Sequence, residues 1–262
     1  MPPGKQAEMP FLDHLEELRW RILWSLLALV VGVGVSFYFL WSHDDILLLL
    51  QGPVQPYLGG RKLIYTHPAD AFRIIMNLAL MLGTILASPV ILWHVWGFLS
   101  PALYKHEKKV VIPVLIFAAL LFLAGVALSW FIILPLTLRV FAGIQSASLE
   151  PMLSFREYFS FAMSMSLALG AVFELPIAVL ALSALGLVTP QMLKRFRRYA
   201  IVGAIVVSAF ITPGQDPFSL LVMTGPLYLL YEVSVGASAL VYRFKRRRAA
   251  REEAAEHSGA IA

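Results

Sequence analysis

Long apolar stretches separated by short polar segments dominate the pattern of this 262-residue chain. A bilayer core about 30 Å thick requires roughly 20 apolar residues for each spanning helix. Four stretches reach that length, and they lie at 22–41, 71–98, 110–134 and 154–187. The pattern therefore predicts membrane-spanning helices and not the alternating positions of a half-buried strand.

Two further spans are predicted near the C-terminus. The apolar stretch 199–211 is interrupted by the helix-breaking sequence Thr212-Pro213-Gly214. Its roughly 13 residues reach only about 20 Å, which is less than the hydrocarbon thickness. A last span is predicted over 218–242. We therefore expect an all-α, polytopic membrane protein with six transmembrane helices, of which the last two are short.

The composition agrees with this class of protein. The chain is 59% hydrophobic and only 14% charged, and its mean hydropathy is +0.77. It has no cysteine, which excludes a disulfide framework and a thiolate metal site. The sequence contains no HExxH pair, no GxSxG elbow and no Gly-rich phosphate loop, so no enzyme, metal or cofactor is indicated.

The distribution of basic residues predicts the orientation. Of the 21 Lys and Arg residues, 16 fall on the side of the two termini. The other side holds five, which are Arg61, Lys62, Arg73, Arg139 and Arg156. The positive-inside rule then places both termini in the cytoplasm, and the basic pI reflects topology and not nucleic-acid binding. We expect one transmembrane domain over 1–242 and a mobile basic tail over 243–262.

The first external loop is predicted to be compact, because it is rich in glycine and proline, including Pro53. The apolar segment 46–50 is too short to span a membrane, so we expect it to lie on the membrane surface or to cap the helices. A short strand-like segment is predicted at 62–66.

The segment 9–21 before the first span has a helical period, with apolar residues at 11, 15, 18 and 22. Asp13, Glu17 and Arg21 lie one turn apart on another face. The simpler interpretation is an amphipathic cytoplasmic helix with i,i+4 ion pairs, each worth only a few tenths of a kcal/mol.

The first cytoplasmic loop contains a second acidic candidate. Ser100 followed by Pro101 has the pattern of an N-cap and a first helical residue, which predicts a short helix that presents Glu107 near the membrane surface. Alternatively, Glu107 only offsets the neighbouring charges of Lys108 and Lys109, an interaction worth little.

Glu174 lies inside the fourth apolar stretch, where a charged side chain costs on the order of 2.5–3.5 kcal/mol. Such a residue is usually functional, although it can also be a structural carboxylate hydrogen-bonded to neighbouring helices. Pro176 lacks a backbone donor and predicts a kink nearby. Glu232 is nearer the cytoplasmic end of the last span and is expected to reach the interface or to pair with a basic residue.

These segments together resemble the TatC family, the multispanning receptor subunit of the twin-arginine protein translocase. The resemblance covers about residues 11–242. Its motifs are His14-Leu15-Glu16-Glu17-Leu18-Arg19, Ser88-Pro89-Val90, the loop 98–107, Phe173-Glu174-Leu175-Pro176 and Thr212-Pro213. The chain departs from the family at Trp20, a position that is often basic, and the segment 212–219 is one residue longer than the commonest form.

The resemblance implies a function in protein export. A TatC-like protein binds signal peptides with a consecutive arginine pair and helps move folded proteins across the membrane with the proton gradient. It implies single-span partners of the TatA and TatB type, an oligomeric complex and the plasma membrane of a bacterium or archaeon. The residues it assigns to signal-peptide binding are Glu17, Arg19, Phe98 and Glu107. It makes Glu174 the membrane-embedded acid, and Pro53 and Asp216 the loop residues.

The sequence leaves two other classes of protein as alternatives. A proton-coupled secondary transporter would use Glu174 as a proton relay, but such folds usually have two related halves with broken helices at corresponding positions. No internal repeat is visible in this chain. A membrane-embedded protease is the other alternative, and no Ser/His or paired Asp arrangement supports it.

Overall fold

The computed structural model describes residues 9–58, 60–64, 67–103, 108–143, 153–184, 186–212 and 217–259. Helices account for nearly all of them, and these ranges contain no β-strand. The prediction of an all-α fold is confirmed. By their internal contacts the residues form two compact units, Met1–Gly170 and Ala171–Ala262. A single domain over 1–242 stays a prediction.

The first unit contains six α-helices in its described part. They are α1 (Met9–Ser42), α2 (Asp44–Leu50), α3 (Asp70–Leu103), α4 (Lys108–Leu128), α5 (Leu134–Gly143) and α6 (Phe155–Val172), whose last two residues lie beyond the unit. A five-residue π-helical turn, Ser129–Ile133, joins α4 to α5.

The main packing in this unit is between α1 and α3. The two helices cross where Gly32 faces Gly83, and a Cβ atom on Gly32 would lie 2.6 Å from the Gly83 carbonyl oxygen. Glycine at both positions is therefore required for this close approach. The crossing holds the start of α1 beside the end of α3.

The loops that precede α3 and α6 are joined to each other. Ile64 N–H donates to the Leu153 carbonyl at 3.2 Å, and Phe155 N–H donates to the Ile64 carbonyl at 3.0 Å. The strand-like segment predicted at 62–66 is thus an isolated parallel bridge between Ile64 and Ser154, although residues 65 and 66 lie outside the described ranges.

The segment predicted to be too short to span forms the seven-residue helix α2. Leu50 at its end is buried, whereas Leu48 and Leu49 are exposed. The Tyr158 hydroxyl donates to the Leu50 carbonyl at 3.3 Å, which ties this helix to α6. Pro53 lies in the following turn, next to the fully buried Val54.

The prediction that a separate helix begins at Ser100 is wrong. The backbone of α3 continues without interruption through Ser100 and Pro101 to Leu103. The missing N–H of Pro101 removes one hydrogen bond near the end of a long helix, where the following carbonyls lack helical partners in any case. The proline is therefore accommodated in the last turn of α3.

The second unit contains α7 (Leu175–Ala184), α8 (Pro190–Ile211) and α9 (Pro217–Gly259). Both α7 and α8 pack against α9. The Ser183 and Ser238 hydroxyls are buried and 2.7 Å apart, and the Tyr231 hydroxyl donates to the Leu193 carbonyl at 2.6 Å. A kink was predicted near Pro176, and the helical path is interrupted there by a turn at Phe173 and Glu174 between α6 and α7.

Five described helical segments are long and apolar enough to cross a membrane, namely Leu15–Ser42, Asp70–Phe98, Ile112–Gly143, Phe155–Ala184 and Leu220–Arg243. The predicted short span in α8 is not among them, because Lys194, Arg195, Arg197 and Arg198 occupy the first half of that helix. Six spans with both termini on one side therefore stay a prediction.

The last helix is longer than predicted. α9 has 43 residues, and its apolar segment Leu220–Arg243 has 24 residues, the shortest of the five candidate spans among the described residues. That the last two spans are short stays a prediction. The helix continues past Arg243 because the tail is rich in Ala, Glu and Arg, which are strong helix formers. The mobility of the tail stays a prediction.

Candidate functional site

The start of α1 and the end of α3 enclose an open cavity of about 480 Å³. Most of its lining is aliphatic and comes from α1. The lining residues with polar or aromatic groups are Arg21, Ser25, His94 and Phe98. The two helices thus bring residues that are distant in sequence to one apolar surface with a single guanidinium on it.

A carboxylate on α1 holds that guanidinium in place. Arg21 donates to Glu17 Oε1 from Nε at 2.9 Å and from Nη2 at 2.6 Å. Its Nη1 reaches the His94 carbonyl oxygen of α3 at 3.4 Å. The side chains are partly accessible, at 24% for Arg21 and 36% for Glu17. The two side chains therefore hold each other in a defined geometry and remain partly accessible.

Gly97 makes room for this arrangement. The Arg21 guanidinium lies where a Cβ atom on Gly97 would be, so any side chain at this position would displace it. Because Gly97 and His94 are one turn apart on α3, both contribute to the place where Arg21 lies.

The structure brings together two of the predicted binding residues. Glu17 is paired with Arg21, and Arg21 lines the same cavity as Phe98. Arg19 is exposed on α1 and does not line the cavity. Glu107 and Asp216 lie outside the described residues.

The membrane-embedded acid has a different environment. Both carboxylate oxygens of Glu174 are buried, and neither accepts a hydrogen bond from a described residue. The backbone around it is well bonded, since the Glu174 carbonyl accepts from Ile177 N–H at 3.1 Å and from Ala178 N–H at 3.0 Å. The interpretation of Glu174 as a carboxylate hydrogen-bonded to neighbouring helices is therefore not supported within the described part of the chain.

Glu232 is paired, as predicted. Arg197 of α8 donates to Glu232 Oε2 at 2.6 Å, and the Tyr228 hydroxyl donates to Oε1 at 2.9 Å. Arg197 was counted in the sequence only as a topology signal, and Tyr228 was missed. The i,i+4 spacing of Tyr228 and Glu232 is the signal that would have identified this contact.

No group of three or more His, Cys, Asp and Glu side chains suited to a metal ion occurs among the described residues. The described part of the chain is thus a multi-pass α-helical membrane protein with a carboxylate–guanidinium pair beside an apolar cavity.

Comparison with known proteins agrees with this class. The family model of Sec-independent protein translocase protein (TatC) matches residues 13–226. The Sec-independent protein translocase protein TatC of Aquifex aeolicus (strain VF5) is 39% identical over 240 residues, which cover 91% of this chain and 98% of the relative. The protein of the same name from Escherichia coli (strain K12) is 37% identical over 227 residues, 86% of each chain.

A solved structure is also similar. The crystal structure of the twin arginine translocase receptor TatC has a TM-score of 0.77 and 38% identity, and the match covers 87% of this chain and 99% of that one. The chain belongs to the TatC family of Sec-independent protein translocase proteins.

Proposed function

We propose that this chain is the signal-peptide receptor and core subunit of a twin-arginine translocase, which exports folded proteins with the proton motive force. The observation that carries the proposal is the Glu17–Arg21 pair beside the cavity that contains Phe98. In this chain Glu17 already accepts hydrogen bonds from the guanidinium of Arg21. An arginine of the signal peptide would take the place of Arg21.

The chemistry of this site favours arginine over lysine. A guanidinium is a planar set of donors that a carboxylate accepts from two nitrogens, and a lysine ammonium does not reproduce that geometry. Glu17 would accept one arginine of the pair and Glu107 the other. Phe98 would contact the apolar residue next to the pair, and the apolar part of the signal peptide would follow the aliphatic lining of the cavity.

The basic residues around the site contribute by repulsion. Arg19 is exposed on the same helix as Glu17, and its charge disfavours basic segments that lack a carboxylate partner. Specificity of this kind combines attraction for the correct ligand with a cost for the wrong one.

The remaining assignments follow from the family. We propose a bacterial or archaeal plasma membrane with both termini in the cytoplasm, and an oligomeric complex with single-span subunits of the TatA and TatB type. Glu174 would contact a polar side chain of such a subunit. The short apolar part of α8 would thin the bilayer locally, which helps a folded cargo to cross. Pro53 and Asp216 would be structural residues of their loops.

A titration of the purified protein tests the receptor. A twin-arginine signal peptide is expected to bind, and replacement of both arginines by lysine is expected to weaken binding at least about tenfold, because one charged hydrogen bond is worth about 1.5–3 kcal/mol. Glu107→Gln is expected to weaken it as well. Equal affinity for the two peptides would refute the proposed specificity.

A second candidate function is a proton-coupled secondary transporter, and the buried oxygens of Glu174 are the observation that favours it. Liposomes that contain this chain alone distinguish the two. Solute uptake driven by a proton gradient and lost in Glu174→Gln would favour the transporter, whereas uptake at the level of empty liposomes favours the receptor.

A further inference from the structure

A second open cavity, of about 310 Å³, lies at the opposite end of α3. The described residues that line it are Phe72, Arg73, Met76, Asn77 and Arg156. None of these five is acidic. Two guanidinium groups and one amide therefore surround the same space, next to an aromatic ring and a thioether.

The fold brings the two arginines together. Arg73 is in the first turn of α3 and Arg156 in the first turn of α6. The hydrogen bond from Phe155 N–H to the Ile64 carbonyl joins the start of α6 to the segment that leads into α3. The backbone bridge at Ile64 thus places both arginines on one cavity.

Positive charge is concentrated at this cavity. Only five of the 21 basic residues are predicted on this side of the membrane, and two of them line this cavity. The ion pairs between described residues include neither guanidinium, although Asp70 and Glu157 lie in the same first turns. Cations near the first turn of a helix are also disfavoured by the helix dipole. An anion between the two arginines would relieve both costs.

We propose that this cavity binds the headgroup phosphate of an anionic phospholipid. Arg73 and Arg156 would donate to the phosphate oxygens, because arginine matches phosphate with two parallel hydrogen bonds, and the Asn77 amide would add a third donor. Phe72 and Met76 are 53% and 40% exposed and would contact the acyl chains.

The position of the cavity favours a lipid over a free phosphate. The segments that begin at Asp70 and at Phe155 both enter apolar spans here, so the arginines lie at headgroup level. A soluble phosphate would make no use of the apolar wall. Under the proposed orientation, the lipid belongs to the outer leaflet.

Native mass spectrometry of the full chain tests this site. The protein is extracted from vesicles of equal amounts of phosphatidylglycerol and phosphatidylcholine, and the lipids that remain bound are counted. We expect preferential retention of phosphatidylglycerol. The double variant R73Q/R156Q is expected to lose about thirtyfold in affinity, the effect of two cation–phosphate contacts. R73K/R156K, which keeps the charges and loses the planar donors, is expected to lose less.

Arg139→Gln is the matched control, since Arg139 is an exposed arginine predicted on the same side and does not line the cavity. It is expected to retain phosphatidylglycerol as the unmodified chain does. Circular dichroism checks that the variants remain helical. Three results would overturn the proposal: equal retention of the two lipids, unchanged retention in R73Q/R156Q, or an equal loss in Arg139→Gln. Displacement of phosphatidylglycerol by an equal concentration of inorganic phosphate would identify a free-phosphate site instead.

Discussion

Two glutamates of this chain lie in opposite environments. Glu17 is partly exposed at the start of α1 and accepts two hydrogen bonds from Arg21. Glu174 lies within an apolar span, and both of its oxygens are buried without a hydrogen bond from any described residue. The Glu17 carboxylate therefore has a hydrogen-bond partner, whereas the Glu174 carboxylate has none among the described residues.

The difference indicates two kinds of site. At Glu17 a guanidinium partner is already present and partly accessible, so under the proposed function an incoming arginine would replace one favourable contact by another at little cost. At Glu174 the burial of a carboxylate costs free energy that a proton or a polar group beyond the described residues would recover. Under the proposed function, Glu17 would serve reversible recognition and Glu174 a contact made within the membrane.

The largest expected effect is that of Gly97→Leu. The new side chain would displace the Arg21 guanidinium and fill part of the cavity. The guanidinium is the flexible end of a side chain and moves at little cost, so the expected effect comes from the Leu side chain that occupies the cavity. The lost contact with the apolar part of the peptide should weaken binding of a twin-arginine peptide by about tenfold or more. Gly34→Leu is the matched control, because nothing lies within 4 Å of a Cβ atom placed there. Peptide titration of both variants provides the measurement, and equal affinity in the two would show that the geometry at Gly97 is irrelevant.

Glu174→Leu is expected to stabilise the isolated chain. It removes a buried polar group that no described residue satisfies, so the free energy of unfolding of the isolated chain should rise by about 1–3 kcal/mol. Denaturant unfolding in detergent measures this change. A clear loss of stability would show that Glu174 has a structural partner within the chain, and the contrast with Glu17 would then disappear.

Whether a feature of these two regions could be predicted from the sequence depends on how far apart its residues lie along the chain. Five of the six predicted spans and the Glu17–Arg21 pair were predicted correctly, because apolar length and i,i+4 spacing are local properties. The contact between Arg21 and the His94 carbonyl was not, since these residues are 73 positions apart and meet only because α1 crosses α3 at two glycines.

The wrong prediction of a helix start also came from a local sequence pattern. Ser100-Pro101 has the local pattern of a helix start, but the long helix that precedes it continues through both residues. A local pattern is overridden when an existing helix loses only one hydrogen bond by continuing. The roles of Glu107 and Asp216 stay predictions.

Arg21→Gln tests whether Arg21 competes with the peptide for the Glu17 carboxylate. The variant removes the internal competitor for the carboxylate, so we expect a twin-arginine peptide to bind a few-fold more tightly. Stability should fall by less than about 1 kcal/mol, because partly exposed i,i+4 pairs contribute little. The measurement is a titration at low salt, with unfolding followed in parallel. A large loss of affinity would mean that Arg21 itself contacts the peptide.

The smallest effect is expected for Glu232→Gln. Glu232 is paired with Arg197 across α8 and α9, and both side chains are partly accessible. Loss of this ion pair should change the free energy of unfolding by about 0–1 kcal/mol and leave peptide binding unchanged. Weakened binding in the same titration would extend the recognition site beyond the α1–α3 cavity.

The most direct test compares two neighbouring acids on α1. Glu17 accepts hydrogen bonds from the guanidinium of Arg21, whereas Glu16 is the exposed acid next to it on the same helix. We expect Glu17→Gln to reduce the affinity for a twin-arginine peptide by about tenfold or more, in line with the loss of a charged hydrogen bond. Glu16→Gln should bind as the unmodified chain does. If both variants bind the peptide with unchanged affinity, Glu17 is not the carboxylate that receives the arginine.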